Sequence, residues 1–257
     1  MFIAKVNGNI VSAGPDWYAQ TTFDWSNPKW PSEKDTRQLK RIQNFADTVV
    51  EPPTTPYAKL ICVGRNYVAH AKELGNEVPK EPLLFLKPPS AVIGNHGKVI
   101  LPKESQQVEH EVELVVVIGK RGKMIPERKT ADYVLGYTIG LDITARDLQK
   151  KDSTWFRGKG YDTFAPIGPW IARDVNLDNC HLSLSVNGEV RQSGNTSDMI
   201  FKVPFLLSYI SQIVTLEPGD LVFTGTPEGV GKISAGDTIV AQIDQIGTLK
   251  VSVAPAA

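Results

Sequence analysis

The stretch that most constrains the fold of this chain runs from Val108 to Gly119 and reads VEHEVELVVVIG. Its second half is a continuous apolar run, mostly β-branched, that ends at a glycine, which is the pattern of a buried strand. Glutamates occupy alternate positions ahead of that run. Because side chains two residues apart on a strand point to the same side of a sheet, Glu111 and Glu113 are predicted to place two carboxylates on one face, beside an apolar core.

Such a pair of carboxylates is costly unless a proton or a cation lies between the oxygens. We therefore interpret Glu111 and Glu113 as part of a metal site. The alternative interpretation is an exposed strand end that carries ordinary solvated glutamates, and this segment alone does not decide between the two.

The domain organisation is suggested by the stiff, proline-rich stretch Glu51–Pro56, which is the best candidate for a boundary. It predicts a small N-terminal β subdomain with its linker at 1–55, and a main domain at 56–257. A hairpin is expected around Asn7-Gly8-Asn9, and one helix within 32–50. The tryptophans at 17, 25 and 30 are interpreted as an apolar cap or an interface.

Charge and hydropathy exclude several classes of protein. The formal net charge is zero, so no electrostatic footprint for nucleic acid or for an anionic membrane is present. No apolar run approaches the length of a membrane span, and the first ten residues lack the pattern of a signal peptide. The two cysteines, Cys62 and Cys180, are far apart and favour a reduced, cytoplasmic setting in which both fill the core.

A possible acid–base pair lies on the short predicted helix Val68–Gly75, which Gly75 ends. His70 and Glu73 are three residues apart and are therefore neighbours on one helix face. Such a pair can hold the histidine as a neutral base, with the carboxylate orienting its ring. The alternative is an ion pair on a solvent-facing helix surface.

Further polar groups follow a predicted strand that ends at Asp142, which could bring a third carboxylate to the same place. Arg146 and Gln149, three residues apart, would share a helical face, and a guanidinium beside a carboxamide suits a substrate carboxylate. A buried strand within Pro82–Pro89 carries Lys87 at its end. Later in the chain, a hairpin turn is predicted at Asn187-Gly188 and the longest amphipathic helix at Met199–Thr215.

Two tempting motifs fail on their spacing. The segment Thr226–Gly231 lacks the first glycine of a phosphate loop, and Ile233 stands where serine or threonine is required. His110-Glu111 lacks the second histidine of a zinc-protease helix. His96 and His181 have no partner at ligand spacing and are interpreted as structural or surface residues.

Six segments, in order, resemble the fumarylacetoacetate hydrolase superfamily over roughly residues 57–253: GRNY (64–67), FLKP (85–88), HEVEL (110–114), LDITARD (141–147), RGKG with a following aspartate (157–162) and FTGTPEGVG (223–231). The resemblance implies a β-dominated α+β fold, the rolled β-sandwich of the family with short helices. It also implies a homodimer. The N-terminal region is similar to the small extra β domain of some bacterial members.

The resemblance implies a role for each of nine residues. Three carboxylates would bind one Mg²⁺ or Mn²⁺, a choice that an all-oxygen ligand set favours over zinc. His110 would face away from them, as a core or supporting histidine. The implied metal ligands are Glu111, Glu113 and Asp142; the implied catalytic residues are His70, Glu73 and Lys159; and the implied contacts to the oxo-acid end of the substrate are Arg146, Gln149 and Thr226.

The chemistry that follows is metal-stabilised enolate formation from a 2-oxo acid. We expect hydrolysis of a C–C bond in a 2,4-dioxo acid, of the acylpyruvate type, because His70 and Glu73 supply the base that an attacking water needs. The same site could instead decarboxylate oxaloacetate, or act as an enol–keto tautomerase or a 2-hydroxy-dienoate isomerase. Outside enzymes, a cation-stabilised binding protein on this fold stays open.

Overall fold

A computed structural model describes the strands at 2–6, 9–14 and 17–21 and the continuous stretch 54–256. The strands in these residues are β1 (Phe2–Val6), β2 (Asn9–Gly14), β3 (Trp17–Thr21), β4 (Leu60–Gly64), β5 (Leu83–Lys87), β6 (Val92–Ile93), β7 (Lys98–Leu101), β8 (Val108–His110), β9 (Val112–Ile118), β10 (Val134–Leu141), β11 (Thr144–Ala145), β12 (Ala165–Ala172), β13 (His181–Val186), β14 (Glu189–Asn195), β15 (Leu221–Phe223), β16 (Gly231–Lys232), β17 (Thr238–Ile243) and β18 (Gly247–Pro255). The α-helices are short: α1 (Val68–Glu73), α2 (Arg146–Lys151), α3 (Phe156–Lys159) and α4 (Val203–Ile213). Short 3₁₀ helices lie at Pro89–Ala91, Glu127–Tyr133 and Thr196–Asp198.

Three sheets organise these strands. The largest has the order β3-β2-β1-β12-β10-β9-β15-β4-β5, with β6 paired to β12. A five-stranded sheet has the order β14-β13-β17-β18-β7, and a small sheet joins β11, β8 and β16. The prediction of a β-dominated α+β fold with short helices is confirmed.

The apolar run at the centre of the chain forms β9, in the middle of the largest sheet, and all seven of its residues are buried. Val112, Leu114 and Val116 belong to the larger core cluster, whereas Val115 and Val117 belong to the second cluster on the other face. A strand that is covered on both faces needs apolar residues at every position, which explains the unbroken run. Each fully buried valine or leucine contributes about 1.5–3 kcal/mol.

The predicted strand over the glutamates is interrupted. Glu111 separates β8, in the small sheet, from β9, in the largest one. The chain makes the reverse passage after β10, where Asp142 and Ile143 lead to β11 of the small sheet. Glu111 and Asp142 therefore both lie where the chain crosses between the same two sheets.

Several local predictions are confirmed. Gly75 ends α1 with a φ of +69°, and the turn at Asn187-Gly188, with both φ values positive, closes the β13–β14 hairpin. The long helix begins later than expected, at Val203, and a proline follows in its first turn. The strand that carries Lys87 is not buried as predicted, because β5 is an edge strand; Lys87 itself is its buried residue.

The N-terminal strands continue the largest sheet, since β1 pairs with β12 and with β2. The predicted helix within 32–50, the tryptophans at 25 and 30 and the first half of the proline-rich linker lie outside the described residues. The domain boundary, the homodimer and the cytoplasmic location stay predictions. Among the described helices, none combines the length and the apolar character needed to cross a membrane.

Candidate active site

The three predicted metal ligands lie together because of the register between β9 and β10. Leu141 pairs with Val112 in this antiparallel pair, and one step further the backbone N–H of Asp142 donates to the carbonyl of Glu111, at 2.9 Å. Residues opposite each other in an antiparallel pair share a face, as do residues two apart on one strand. One carboxylate oxygen from each of Glu111, Glu113 and Asp142 lies within 4.8 Å of the others, and all three residues are buried.

Two buried lysines face this acidic cluster. Nζ of Lys159 lies 2.6 Å from Oδ2 of Asp142 and 2.9 Å from Oε2 of Glu111. Lys87, from the end of β5, donates to the carbonyl oxygens of Ile143, at 3.0 Å, and Lys159, at 2.5 Å. Lys87 therefore ties the backbone that follows Asp142 to the backbone of α3.

The charges inside the cluster are strongly perturbed. Burial raises the pKa of Glu113 well above its usual value, and the negative charges of Asp142 and Glu111 add to the effect. Burial alone would raise the pKa of Glu111 as well, but Lys159 and Arg146 outweigh it and hold this pKa below its usual range. Burial opposes the charge of Lys159, yet Asp142 and Glu111 raise its pKa overall. Glu113 is thus the acid of the cluster with the least compensation.

The donor set fits a hard divalent cation. It consists of three carboxylates and contains no thiol or imidazole, as Mg²⁺ and Mn²⁺ prefer. Oδ1 of Asp142 is buried, and its neighbour is the ammonium of Lys87, whose Nζ lies 2.8 Å away. Glu113 has no such direct partner among the described residues and resists ionisation beside two other carboxylates. The cluster as folded therefore contains an acid whose charge a further cation would stabilise.

Arg146, which begins α2, is not free in this structure. Its Nε donates to Glu109 at 2.7 Å, one terminal nitrogen contacts Glu111 and the other donates to Gln149 at 2.6 Å. The predicted proximity of Arg146 and Gln149 is confirmed. The guanidinium of Arg146 bridges the acidic cluster and the side chain of Gln149. A substrate carboxylate would therefore have to share guanidinium N–H groups that already bind Glu109, Glu111 and Gln149.

The predicted pair on the first helix also forms. Nδ1 of His70 lies 3.2 Å from Oε2 of Glu73, and His70 is only 4% exposed, whereas the Glu73 side chain is 31% exposed. The interpretation as a fully solvent-facing ion pair is therefore wrong for the histidine. The second oxygen of Glu73 accepts the backbone N–H of Gly229, at 2.9 Å, which fastens α1 to the loop that contains Thr226.

A cavity of about 390 Å³ collects these groups. Every predicted site residue except Glu73 contributes to its wall, and Glu73 lies behind His70. The wall also includes Arg65, whose guanidinium lies 5.7 Å from the ring centre of Trp155, another wall residue. Among the described residues, Arg65 forms no ion pair with a carboxylate. The cavity thus has an acidic floor and the additional positive charge of Arg65, which no carboxylate in the described part of the chain neutralises.

Sequence reasoning missed three residues that hold the site. Lys87 was placed at a strand end without a role, and Glu109 was seen only as one of three alternating glutamates. Gln192, on β14, is fully buried and contacts both His110 and Thr226. No pattern in the sequence predicts that Gln192 is buried, because both of its neighbours in β14 are exposed and the strand has no continuous buried face.

The other histidines behave as interpreted where the structure describes their contacts. His110 is 1% exposed and its Nδ1 lies 3.0 Å from Oε1 of Gln192, so it faces away from the carboxylates. His181 is exposed and contacts Ser193. Both cysteines are buried free thiols, as predicted.

Comparisons with known proteins agree with the resemblance. Residues 59–254 match the fumarylacetoacetate (FAA) hydrolase C-terminal family. A mitochondrial oxaloacetate tautomerase of Arabidopsis thaliana is 49% identical over 201 residues, which are 76% of this chain and 90% of that relative. A mitochondrial oxaloacetate decarboxylase of Dictyostelium discoideum is 50% identical over 197 residues, 74% of this chain and 90% of the relative.

A solved structure shares the fold. The crystal structure of fumarylpyruvate hydrolase from Pseudomonas aeruginosa, in complex with Mn²⁺ and pyruvate, is 40% identical, has a TM-score of 0.74 and covers 80% of this chain and 91% of its own. The family match extends over most of the chain, and the relatives are aligned over nearly their whole lengths. This chain therefore belongs to the fumarylacetoacetate hydrolase family of enzymes.

Proposed function

We propose that this protein moves a proton at the carbon beside the keto group of a 2-oxo dicarboxylic acid, and that oxaloacetate enol–keto tautomerisation is the first reaction to test. The observation that carries the proposal is His70, buried in the wall of the cavity that also contains the acidic cluster, with its Nδ1 held by Glu73 behind it. Enol–keto exchange needs a base at that place, whereas decarboxylation does not. The oxaloacetate relatives at 49% and 50% identity support the same substrate.

Glu111, Glu113 and Asp142 would hold one Mg²⁺ or Mn²⁺. Bound there, the cation would polarise the keto group of a 2-oxo acid and make the neighbouring carbon more acidic. The Mn²⁺ named with the Pseudomonas aeruginosa enzyme, which is 40% identical, supports this assignment.

The side chains of this chain would then divide the work. Arg146, Gln149 and Thr226 would bind the carboxylate beside the keto group, and Lys159 would add positive charge near the keto oxygen. Because Nδ1 of His70 faces the Glu73 carboxylate, a neutral ring would carry its proton on Nδ1 and leave the lone pair of Nε2 to accept a proton from the substrate.

The outer wall favours a substrate with a second carboxylate. Arg65 contributes a charge that no carboxylate among the described residues neutralises, and its guanidinium is held against the face of Trp155. A dicarboxylic acid could place one carboxylate at Arg146 and the other toward Arg65. Acetylpyruvate, whose tail is neutral, would not use this charge.

Hydrolysis of a 2,4-dioxo acid is the second candidate. The same histidine could activate water for attack on the second keto carbon, and the relative named fumarylpyruvate hydrolase favours this reaction. The two candidates share the cation, Lys159 and Arg146, and they differ in what the base deprotonates.

The test is product analysis with purified Mn²⁺-loaded protein on three reactions: decay of the oxaloacetate enol followed by ultraviolet absorbance, formation of pyruvate from oxaloacetate, and formation of pyruvate from acetylpyruvate and fumarylpyruvate. We expect His70→Gln to slow tautomerisation by about 10²- to 10⁴-fold. Mn²⁺ affinity should stay unchanged, because His70 is not a ligand. Lys72→Gln, at an exposed position of α1, is the matched control.

Pyruvate from the dioxo acids without enol decay would replace the first candidate with the second. Pyruvate from oxaloacetate at full rate in His70→Gln would indicate a decarboxylase. Stabilisation by Mn²⁺ with no turnover of any of these acids would favour the non-catalytic binding protein.

A further inference from the structure

Gln192 joins two parts of the site that are remote in sequence. It is the only buried residue of β14, and it is completely inaccessible to solvent. Its Oε1 accepts the backbone N–H of Val112, at 3.0 Å, and lies 3.0 Å from Nδ1 of His110. Its Nε2 donates to the carbonyl of Pro227, at 2.9 Å, and to Oγ1 of Thr226, at 2.8 Å. All four hydrogen-bonding capacities of this amide are used.

The orientation of the amide follows from its two backbone partners. The N–H of Val112 can only donate, so the atom of Gln192 that faces it must be the oxygen. The carbonyl of Pro227 can only accept, so the atom that faces it must be the nitrogen. The orientation therefore does not depend on how either side-chain neighbour is protonated, and Nδ1 of His110 must carry a hydrogen.

The same orientation decides the direction of the Thr226 hydroxyl. Oγ1 of Thr226 accepts a hydrogen from Gln192, so its own hydrogen points elsewhere. Thr226 is 2% exposed and contributes to the cavity wall, and its hydroxyl donates no hydrogen bond to any of the described residues. The structure assigns Gln192 as a positioning residue that turns the hydrogen of the Thr226 hydroxyl away from itself and leaves it for a ligand in the cavity.

A hydroxyl whose hydrogen is directed to the ligand favours a ligand group that accepts. A carboxylate oxygen beside Thr226 gains a charge-assisted hydrogen bond there. This inference rests on the proposed function, in that an oxo acid places its carboxylate near Thr226. It goes beyond that function by naming the residue that directs the hydroxyl hydrogen.

The experiment measures oxalate binding to the Mn²⁺-loaded protein by isothermal titration, for the wild type, Thr226→Val, Gln192→Glu and the double variant. A carboxylate at position 192 can still accept from Val112 and His110 but cannot donate, so Thr226 would turn its hydrogen toward it and away from the cavity. We expect each single variant to weaken oxalate binding by about 10- to 100-fold, the range for one hydrogen bond to a charged group. The double variant should be no weaker than Gln192→Glu, while Thr226→Ser keeps the hydroxyl and should bind oxalate within about 3-fold of the wild type.

Mn²⁺ affinity, measured separately in each variant, distinguishes positioning from general damage. Positioning predicts an Mn²⁺ affinity close to that of the wild type while oxalate binding falls. Losses that add in the double variant, or an Mn²⁺ affinity that falls as far as oxalate binding does, would overturn the inference and leave the proposed function standing. Absence of oxalate binding to the wild type would overturn both.

A second measurement needs no variant at position 192. The ¹⁵N chemical shifts of the His110 ring, assigned with His110→Phe, should show a hydrogen on Nδ1 in the wild-type protein. A neutral ring with its hydrogen on Nε2 would mean that the amide does not present its oxygen to His110, and the inference would be wrong even if Gln192→Glu fails to fold.

Discussion

Glu113→Gln should stabilise the metal-free protein, and the gain should depend on pH. Burial and the charges of Asp142 and Glu111 raise the pKa of Glu113, so the fold favours its protonated form. Below the pKa of the unfolded chain, about 4.3, Glu113 is protonated in both states and costs no stability. As pH rises above that value the cost of ionising it grows, and it is complete above the raised pKa of the folded state. Glutamine removes this cost, so the variant should gain stability at pH 8 and nothing at pH 4.

The magnitude follows from the spacing of the carboxylates. Oxygens of the three acids lie within 4.8 Å of one another, and two unit charges at that distance repel by about 3.5 kcal/mol at an effective dielectric constant of about 20. Lys159 offsets part of this repulsion, and Gly225 donates its N–H to Glu113 at 2.7 Å, a bond that a glutamine oxygen can keep. A net gain of about 1–2 kcal/mol in the free energy of unfolding is expected, which corresponds to about 2–8 °C in Tm.

Metal binding should reverse the effect. Mn²⁺ at about 100 times its Kd would stabilise the wild type by about 2.7 kcal/mol, and removing one of three ligands should abolish most of that gain. The assay is thermal unfolding at pH 4, 6 and 8, with EDTA and with Mn²⁺, and Glu81→Gln serves as an exposed control. A variant that is less stable than the wild type with EDTA at pH 8, or that keeps the full Mn²⁺ gain, would refute the reasoning about the cluster.

Three further predictions use other contacts. Lys87→Met removes a buried ammonium from two carbonyl oxygens and from the neighbourhood of Asp142. Because these buried groups lose their partner, the free energy of unfolding should fall by about 2–4 kcal/mol. Urea denaturation measures it, and an unchanged midpoint would contradict the prediction. Gly229→Ala places a Cβ 2.1 Å from the carbonyl oxygen of Arg191 at a φ of +91°, so it should displace the loop that contains Thr226 and weaken oxalate binding. The control is Gly236→Ala, where a Cβ meets no atom within 4 Å at a similar φ, and its effect on oxalate binding should be smaller. Equal losses in the two variants would point to backbone strain alone. Burial raises the pKa of the Cys62 thiol well above its usual value and the pKa of the Cys180 thiol to about 11. Neither thiol should therefore react with iodoacetamide in the native protein at pH 8, as measured by mass spectrometry. Rapid labelling of Cys62 would mean that the core beside the site opens.

Local pattern was enough to predict those parts of the fold that depend on neighbours in sequence. The unbroken apolar run of β9, the glycine that ends α1 and the Asn187-Gly188 hairpin were all readable because each reflects burial or backbone geometry over a few residues. The break in the strand at Glu111 could not be predicted in this way. It arises where the chain passes from one sheet to another, which depends on strand pairing and not on local composition.

The candidate site shows the same division. Alternation placed Glu111 and Glu113 together, and the predicted strand end at Asp142 suggested a third carboxylate, but only the family resemblance assigned Asp142 to the same metal site, since no local pattern reports that β10 lies antiparallel to β9. The contacts of Lys87 and Gln192 were missed for that reason, as each bridges segments that are distant in sequence and adjacent only after three sheets have assembled. The sequence pattern likewise does not identify which 2-oxo acid is the substrate.

The two crossings at Glu111 and Asp142 have a mechanical consequence. Because these carboxylates lie where the chain passes between the small and the large sheet, a cation shared by them would cross-link two sheets that the backbone joins there by one residue at the first crossing and two at the second. If the two sheets moved apart, the carboxylate oxygens would leave coordination distance. Metal binding and the packing of the two sheets would therefore be thermodynamically linked. The affinity for the metal would then report on the integrity of the whole β scaffold, well beyond the three side chains that touch it.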